Sequence, residues 1–441
     1  MNQIYTKKNR NSYVYCIILL IILVSWTSQT TAPPGPVRIL YLIAVMIIPF
    51  VSQTFMLPAA LSCFLIVSKN GFAYSYLPQG DYNYSISLFL VFLLLFLISK
   101  TSKVDYHKIP GIIVIMLIYV LFVDFVNNGS IEHLFHCLFV VIMFFLLSNI
   151  ASDKTDHNEN IKIFALFLSL GALALYYFYF RFGYMFSIVY KHLGQETIGW
   201  TDPNYFSSTI GMAVLSSMII LFNLKTTIIE KILFIITIVV GFFIMVRCAS
   251  RGAVLAIAIS GSFLLLFSNL KAKYKFFILI LVVAFVLILF TNGAFQLLQD
   301  RIEADTTMGT GRVGLWKKKL QLFFQVNNPL YLTFGMGAHK GLYLGGSSIK
   351  YHSFHNDFVA YLVCYGFIGL ILFVLFLLSP IKKVSKKSPF RPAVIASVIY
   401  LVVCSITLNP LSEGYLAYFC FYFFIHQLCL GETIVPEGKI G

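Results

Sequence analysis

Charge is scarce in this chain, and acidic charge scarcer still. Of 441 residues only 11% are Asp, Glu, Lys or Arg, with 17 acids against 32 bases. Soluble domains carry about a quarter charged residues, so a water-soluble fold is excluded. The eight cysteines lie in or beside apolar runs without CxxC pairing. They read as small packing residues, not a redox motif or a zinc ligand set. Neither GxxxxGK[ST] nor GxGxxG occurs, so nothing supports a nucleotide-driven reaction. Internal repeats, low-complexity linkers and a soluble domain are likewise missing.

What fills the chain is hydrophobic sequence, 59% of the whole. Apolar runs near the roughly 20 residues that cross a bilayer recur throughout. Continuous runs, unlike short alternating segments, exclude a β-barrel. The reading is an all-α, polytopic transmembrane helical bundle of about 12–14 spans. Residues 1–441 form a single integral membrane domain, with one large loop at 291–356 containing amphipathic helices. The candidate spans are 13–30, 39–56, 57–67, 86–98, 112–125, 133–150, 163–179, 205–221, 232–246, 254–270, 276–290, 358–378, 392–408 and 415–430. The first follows Lys7, Lys8 and Arg10. Pro33-Pro34 directly after Thr31-Ala32 argues against cleavage there, so this helix is read as uncleaved.

The net charge of +15 does not call for nucleic acid, because the lysines cluster in short loops between spans. The positive-inside rule makes those loops cytoplasmic: Lys100/Lys103/Lys108, Lys154/Lys162, Lys225/Lys231, Lys271/Lys273/Lys275 and Lys382/Lys383/Lys386/Lys387/Arg391. Both termini then face the cytoplasm and loop 291–356 faces out. Segment 57–67 is short and starts at Pro58; if it is re-entrant, the N-terminus changes sides and the later helices keep theirs.

Four polar groups gather on the outer side. Arg247 and Arg251 are four apart and share a face if their turn is helical. They either snorkel to anchor a helix end or hold an anion, for which a guanidinium fork is better suited than lysine. Arg312 lies at the edge of a helical stripe of Val313, Trp316, Leu320, Phe323 and Phe324, with Lys317 and Lys318 pointing away. That pattern fits an interfacial amphipathic helix, either a plain anchor or one that presents Arg312 to an anionic headgroup. His352, His355 and Asn356 fall on one face of a helix before the span at 358–378. Histidine can take a proton near neutral pH; a helix cap and a two-histidine metal site, completed by His339, Glu303 or Asp305, are the alternatives. Arg181, Lys191 and His192 precede Asp202-Pro203-Asn204, which reads first as ordinary helix capping.

Taken in order, Ser250-Arg251-Gly252-Ala253 opening a span, Gly311-Arg312 with Trp316, Gly335-Met336-Gly337, and His355-Asn356 followed by Gly366-Phe367-Ile368-Gly369 resemble the O-antigen polymerase and O-antigen ligase superfamily of bacterial membrane glycosyltransferases. The resemblance implies a GT-C-like helical fold in the cytoplasmic (inner) membrane. It implies transfer of glycan from an undecaprenyl-pyrophosphate carrier at the outer face, inverting and independent of metal or other cofactor. Arg251 and Arg312 match arginines that hold the carrier pyrophosphate, and His355 matches the histidine that activates the acceptor hydroxyl. Arg247, His352, Asn356, Trp316, Arg181 and Asn204 are the accompanying substrate-binding candidates. Ligases often show His-x-His-Asn, whereas this chain has His352-x-x-His355-Asn356, so a role for His352 stays open. The implied partners are undecaprenyl-pyrophosphate-linked oligosaccharide, membrane lipids and a chain-length regulator (polysaccharide co-polymerase), with no nucleic acid.

A polymerase acting on lipid-linked repeat units is favoured over a ligase to lipid A-core because the ligase-type histidine spacing is absent. A lipid-linked oligosaccharide flippase would show internal repeats and mid-membrane ionisable residues. A peptidoglycan polymerase of similar fold would use an outer-loop aspartate, for which Asp305 is the nearby candidate. The first outer loop, 30–38, has no acidic residue; metal-dependent enzymes of the oligosaccharyltransferase kind keep a metal ligand there.

Overall fold

The computed structural model describes residues 111–127, 157–182, 203–303, 312–345, 354–408 and 416–431. Among them are thirteen helices and no strand. They are α1 (Gly111–Val126), α2 (His157–Phe182), α3 (Pro203–Asn223), α4 (Ile228–Arg247), α5 (Arg251–Phe267), α6 (Ala272–Thr291), α7 (Gln296–Glu303), α8 (Arg312–Gln325), α9 (Pro329–Phe334), α10 (Ala338–Leu342), α11 (Asp357–Lys383), α12 (Arg391–Thr407) and α13 (Leu416–Leu430). The chain is a polytopic helical membrane protein: α3, α4, α6 and α11 are long and apolar enough to span, and α1, α5 and α12 are shorter apolar helices. Every expected span from 112–125 onward falls on one of these helices except 133–150. That segment and the four before 112 lie outside the described residues.

Local chemistry sets the helix ends. Thr227 and Glu230 close a reciprocal capping box at the start of α4, satisfying two otherwise orphaned backbone N–H groups. Asn328 caps α9, whose first residue is Pro329; the ring fixes φ where no donor is needed.

Helix α3 is the centre of the bundle, buried over 83% of its apolar window, and packs on α2, α4 and α5. Its buried hydroxyls at Ser208, Thr209, Ser216 and Ser217 bond back to carbonyls three or four residues earlier, which satisfies these four groups inside the apolar core. Tyr400 of α12 donates to the Ser208 carbonyl and Tyr176 of α2 to that of Thr237; such bonds hold helices together where lipid offers no hydrophobic drive. Helix α6 is buried over only 6% of its window, which places it at the rim with its apolar residues outward.

Short links make α3–α6 alternate in direction, so the starts of α3 and α5 share one end with the close of α4 and α6. Gly252, at the start of α5, lies so close to Thr407 that any side chain would collide with it. This fixes the end of α12, and through its hairpin the start of α11, at that same end. The opposite end collects Lys225, Lys231, Lys271, Lys273, Lys275, Lys382, Lys383, Lys386, Lys387 and Arg391.

Two features depart from expectation. The span carrying Gly366 is not one continuous helix: Gly366 sits at φ 66, ψ −169 and breaks α11. The break is filled by the turn after α9. Gly335 packs on the backbone of Cys364 and Tyr365, and Gly366 on the carbonyl of Thr333, contacts that leave no room for a Cβ on either glycine. The Gly337 N–H donates to the Cys364 carbonyl at 2.8 Å, and the Tyr119 hydroxyl of α1 bonds the carbonyls of Phe334 and Tyr365, each at 2.9 Å. The second departure is that Arg247 and Arg251 do not share a helical face. Ala249, at φ 52, turns the chain between α4 and α5, so one arginine closes a helix and the other opens the next.

Candidate functional site

The last turn of α12 is the meeting point of three elements that are far apart in sequence. Helix α5 reaches it through Gly252 against Thr407, which brings Arg251 alongside. Helix α8 reaches it through Arg312, whose Nη1 donates to the Thr407 carbonyl at 2.5 Å. That carbonyl is among those a helix end leaves unpaired, at the negative pole of its dipole, so a guanidinium is well placed there. Helix α11 opens at the same end with Asp357, fully buried in its first turn and close to Cys404 in the last turn of α12. Arg251, Arg312 and the residues around His355 therefore gather at one end of the bundle.

His355 and Asn356 are not on a helical face, contrary to the i, i+3, i+4 reading. The Asn356 side chain caps α11 by accepting from the Val359 N–H at 3.1 Å, which requires extended backbone at Asn356, and α11 begins only at Asp357. His355 adopts left-handed φ 50, unusual for a residue with a side chain and costing about 1–3 kcal/mol. Its flanks hold it there. Phe354, 1% exposed, is buried behind it, and Trp316 Nε1 donates to the Phe354 carbonyl at 2.8 Å.

Helix α8 forms as expected, with Lys317 and Lys318 exposed, but its apolar stripe divides. Phe323 is buried with Lys319, whereas Val313, Leu320 and Phe324 line an open groove with Trp316. Lys319 is wholly buried; its ammonium donates to the carbonyls of Leu342 at 2.6 Å, Leu344 at 3.1 Å and Gly341 at 3.4 Å and stands 5.2 Å from the centre of the Phe354 ring. Burial holds its pKa below the ordinary lysine value, with the nearby Cys364 pulling weakly the other way.

The other expected site residues lie farther out. Arg247 lies beside Tyr179 near the close of α2, and a cation in the last turn of α4 suits the helix dipole. Asn204 sits in the first turn of α3, at the same end of the bundle. His352 and the side chain of Arg181 lie outside the described residues, as do Lys191, His192 and Asp305.

Four buried polar residues had been given no role of their own from the sequence. Lys319 and Asp357 are buried charges, and Ser250 is a buried hydroxyl at the start of α5 that makes no cap bond and has no hydrogen-bond partner among the described residues. Asp124 of α1, also buried, accepts from the Ala338 N–H at 2.7 Å and the Tyr365 hydroxyl at 3.1 Å, tying α1 to the loop docked in the α11 break. A charge inside an apolar run was the available signal for Asp124, and adjacency to His355-Asn356 the signal for Asp357.

With a guanidinium pair, an imidazole and a buried carboxylate at one end, the arrangement can hold a dianionic group and accept a proton beside it. Residues 236–374 match the family model described as O-antigen ligase. The stretch runs from within α4 to within α11 and takes in Arg247, Arg251, Arg312, Trp316, Lys319, His355 and Asn356. None of the curated proteins matches the chain.

Proposed function

We propose that this protein, whose residues 236–374 match the family model described as O-antigen ligase, is a surface-polysaccharide polymerase of the O-antigen polymerase and ligase superfamily. It transfers a growing glycan from undecaprenyl pyrophosphate to a sugar hydroxyl of another lipid-linked repeat unit. The observation that carries this is the convergence of Arg251, Arg312 and the His355 segment on the last turn of α12.

The chemistry follows from the groups. Outside the cytoplasm no nucleotide sugar is available, so the donor arrives already activated by its lipid diphosphate. The acceptor oxygen attacks the anomeric carbon from the face opposite the diphosphate, the bond from that carbon to the phosphate oxygen breaks, and the configuration inverts. His355 takes the hydroxyl proton, and Arg251 and Arg312 meet the charge that develops on the departing diphosphate. Fixed guanidiniums need little reorganisation as that charge grows, and removing one such donor typically costs on the order of 100- to 1000-fold in rate.

The reading puts this site on the extracytoplasmic face of the inner membrane, because the opposite end of the bundle carries the lysine-rich links. Arg247, Asn204, Arg181, Trp316 and His352 are proposed to contact the glycan or carrier around that centre. Asn356 supports it by capping α11. A chain-length regulator is the proposed protein partner.

A ligase is the second reading, favoured by the description of the matching family; its acceptor is lipid A-core. Deleting the gene separates the two. Single repeat units on lipid A-core identify a polymerase, and long chains left on the carrier identify a ligase. Complementation with Arg251→Ala, Arg312→Ala and His355→Ala tests the site: each is expected to insert normally and yield no polymer. Normal glycan ladders from all three would reject it.

A further inference from the structure

We propose that Lys319 is a positioning residue for His355, gripping the histidine segment from α8 so that it stays in register with Arg312. The inference rests on the glycosyl-transfer reading above and adds to it a residue that touches neither substrate nor reacting atoms.

Arg312, Trp316 and Lys319 are spaced four and three apart, which aligns them on one face of α8. Each makes a contact that points to the same place. Arg312 bonds the end of α12, Trp316 bonds the Phe354 carbonyl, and Lys319 lies over the Phe354 ring. Residue 354 is thus held by its main chain and by its side chain, directly before a histidine in a left-handed conformation. On the other flank Asn356 is fixed by its cap bond to Val359. A backbone so strained persists only when its surroundings over-determine it, and α8 supplies half of that determination.

Three carbonyls at the end of α10 match the three donors of the Lys319 ammonium. The lysine therefore joins three pieces into one body: the arginine-bearing helix, the small helix docked in the α11 break, and Phe354. An apolar residue in its place packs as well but leaves the Leu342 and Leu344 carbonyls without the ammonium and frees Phe354 to turn. His355 then drifts from the acceptor hydroxyl while the arginines still hold the donor. Loss of Lys319 should accordingly spare donor affinity and slow the chemical step.

The test uses the full-length protein in lipid nanodiscs with an undecaprenyl-pyrophosphate-linked oligosaccharide as donor and acceptor. Donor-binding sites are titrated first and turnover is expressed per site. Lys319→Met is expected to keep wild-type donor affinity while turnover per site falls on the order of ten- to a hundredfold, the scale of a small misplacement of a reacting group. Phe354→Leu, which keeps the packing but loses the ring face, is expected to fall in the same direction by less. If turnover falls only as the number of binding sites falls, Lys319 is a structural residue and the inference is overturned. Should Lys319→Met yield no folded protein, Phe354→Leu decides alone: a per-site loss upholds the inference and wild-type turnover per site overturns it. His355→Ala, run in parallel, separates the two levels. If it is inactive while both α8-side variants turn over normally, only this inference falls; if it is fully active, the glycosyl-transfer reading falls with it.

Discussion

Asp124 offers the sharpest test of how the loop is held against the bundle. Its two carboxylate oxygens serve two donors from separate elements: the Ala338 N–H at the start of α10, 2.7 Å away, and the Tyr365 hydroxyl beside the α11 break, 3.1 Å away. Asp124 is 0% exposed, so both bonds are made away from bulk solvent. In Asp124→Ala both donors lose their partner. An unmet buried donor costs about 1–3 kcal/mol, so the pair predicts a loss of about 2–6 kcal/mol, a large share of the 5–15 kcal/mol that stabilises an ordinary domain. Asp124→Asn keeps one acceptor oxygen, and the Tyr365 hydroxyl can rotate to accept from the new amide, so its loss should be no more than about 1–2 kcal/mol. Tyr365→Phe removes a single donor and should resemble the asparagine variant. Thermal unfolding of the purified protein in detergent ranks the three. Polymer formation should fall in the same order, because α10 also carries the carbonyls that hold Lys319. An Asp124→Ala protein that melts with the wild type would refute the reasoning.

Four further outcomes follow from contacts described above. Gly366→Ala places a side chain at φ 66, ψ −169 against the Thr333 carbonyl, a conformation essentially confined to glycine; destabilisation by about 2–5 kcal/mol is expected as lost folded yield. Gly252→Val drives a branched side chain into Thr407 and parts α5 from α12, so donor affinity should fall by more than the melting temperature predicts. Trp316→Phe deletes the bond to the Phe354 carbonyl at a cost of about 0.5–1.5 kcal/mol, measurable as a several-fold lower turnover with donor affinity retained. Burial lowers the pKa of Lys319, so the unfolded chain binds more protons there than the folded one between its folded and unfolded values. Wild type should therefore gain stability relative to Lys319→Met as pH rises toward the ordinary lysine value of about 10.4, and melting curves across alkaline pH should show that gain.

The spans were legible because a bilayer imposes its thickness on sequence: 232–246 and 276–290 needed only apolar continuity to be placed, and α4 and α6 cover them. The gathering of Arg251, Arg312 and His355 was legible through the order of short motifs. Three things were not. The break at Gly366 escaped because an apolar run reads the same whether or not its backbone is continuous, and the segment that fills the break lies some 30 residues earlier, at Gly335. His355 and Asn356 were assigned to a helix face because i, i+3, i+4 spacing says nothing about where a helix begins; the capping preference of asparagine carried that information. Lys319 received no reading beside Lys317 and Lys318, and only the tertiary fold reveals that it turns inward onto α10.

Donor binding and turnover, measured side by side on Arg251→Ala, Arg312→Ala and His355→Ala, test the central claim most directly. The account predicts that the arginine variants lose affinity for the lipid pyrophosphate, while the histidine variant binds it as tightly as wild type and forms no glycosidic bond. Wild-type affinity and turnover in all three would contradict it.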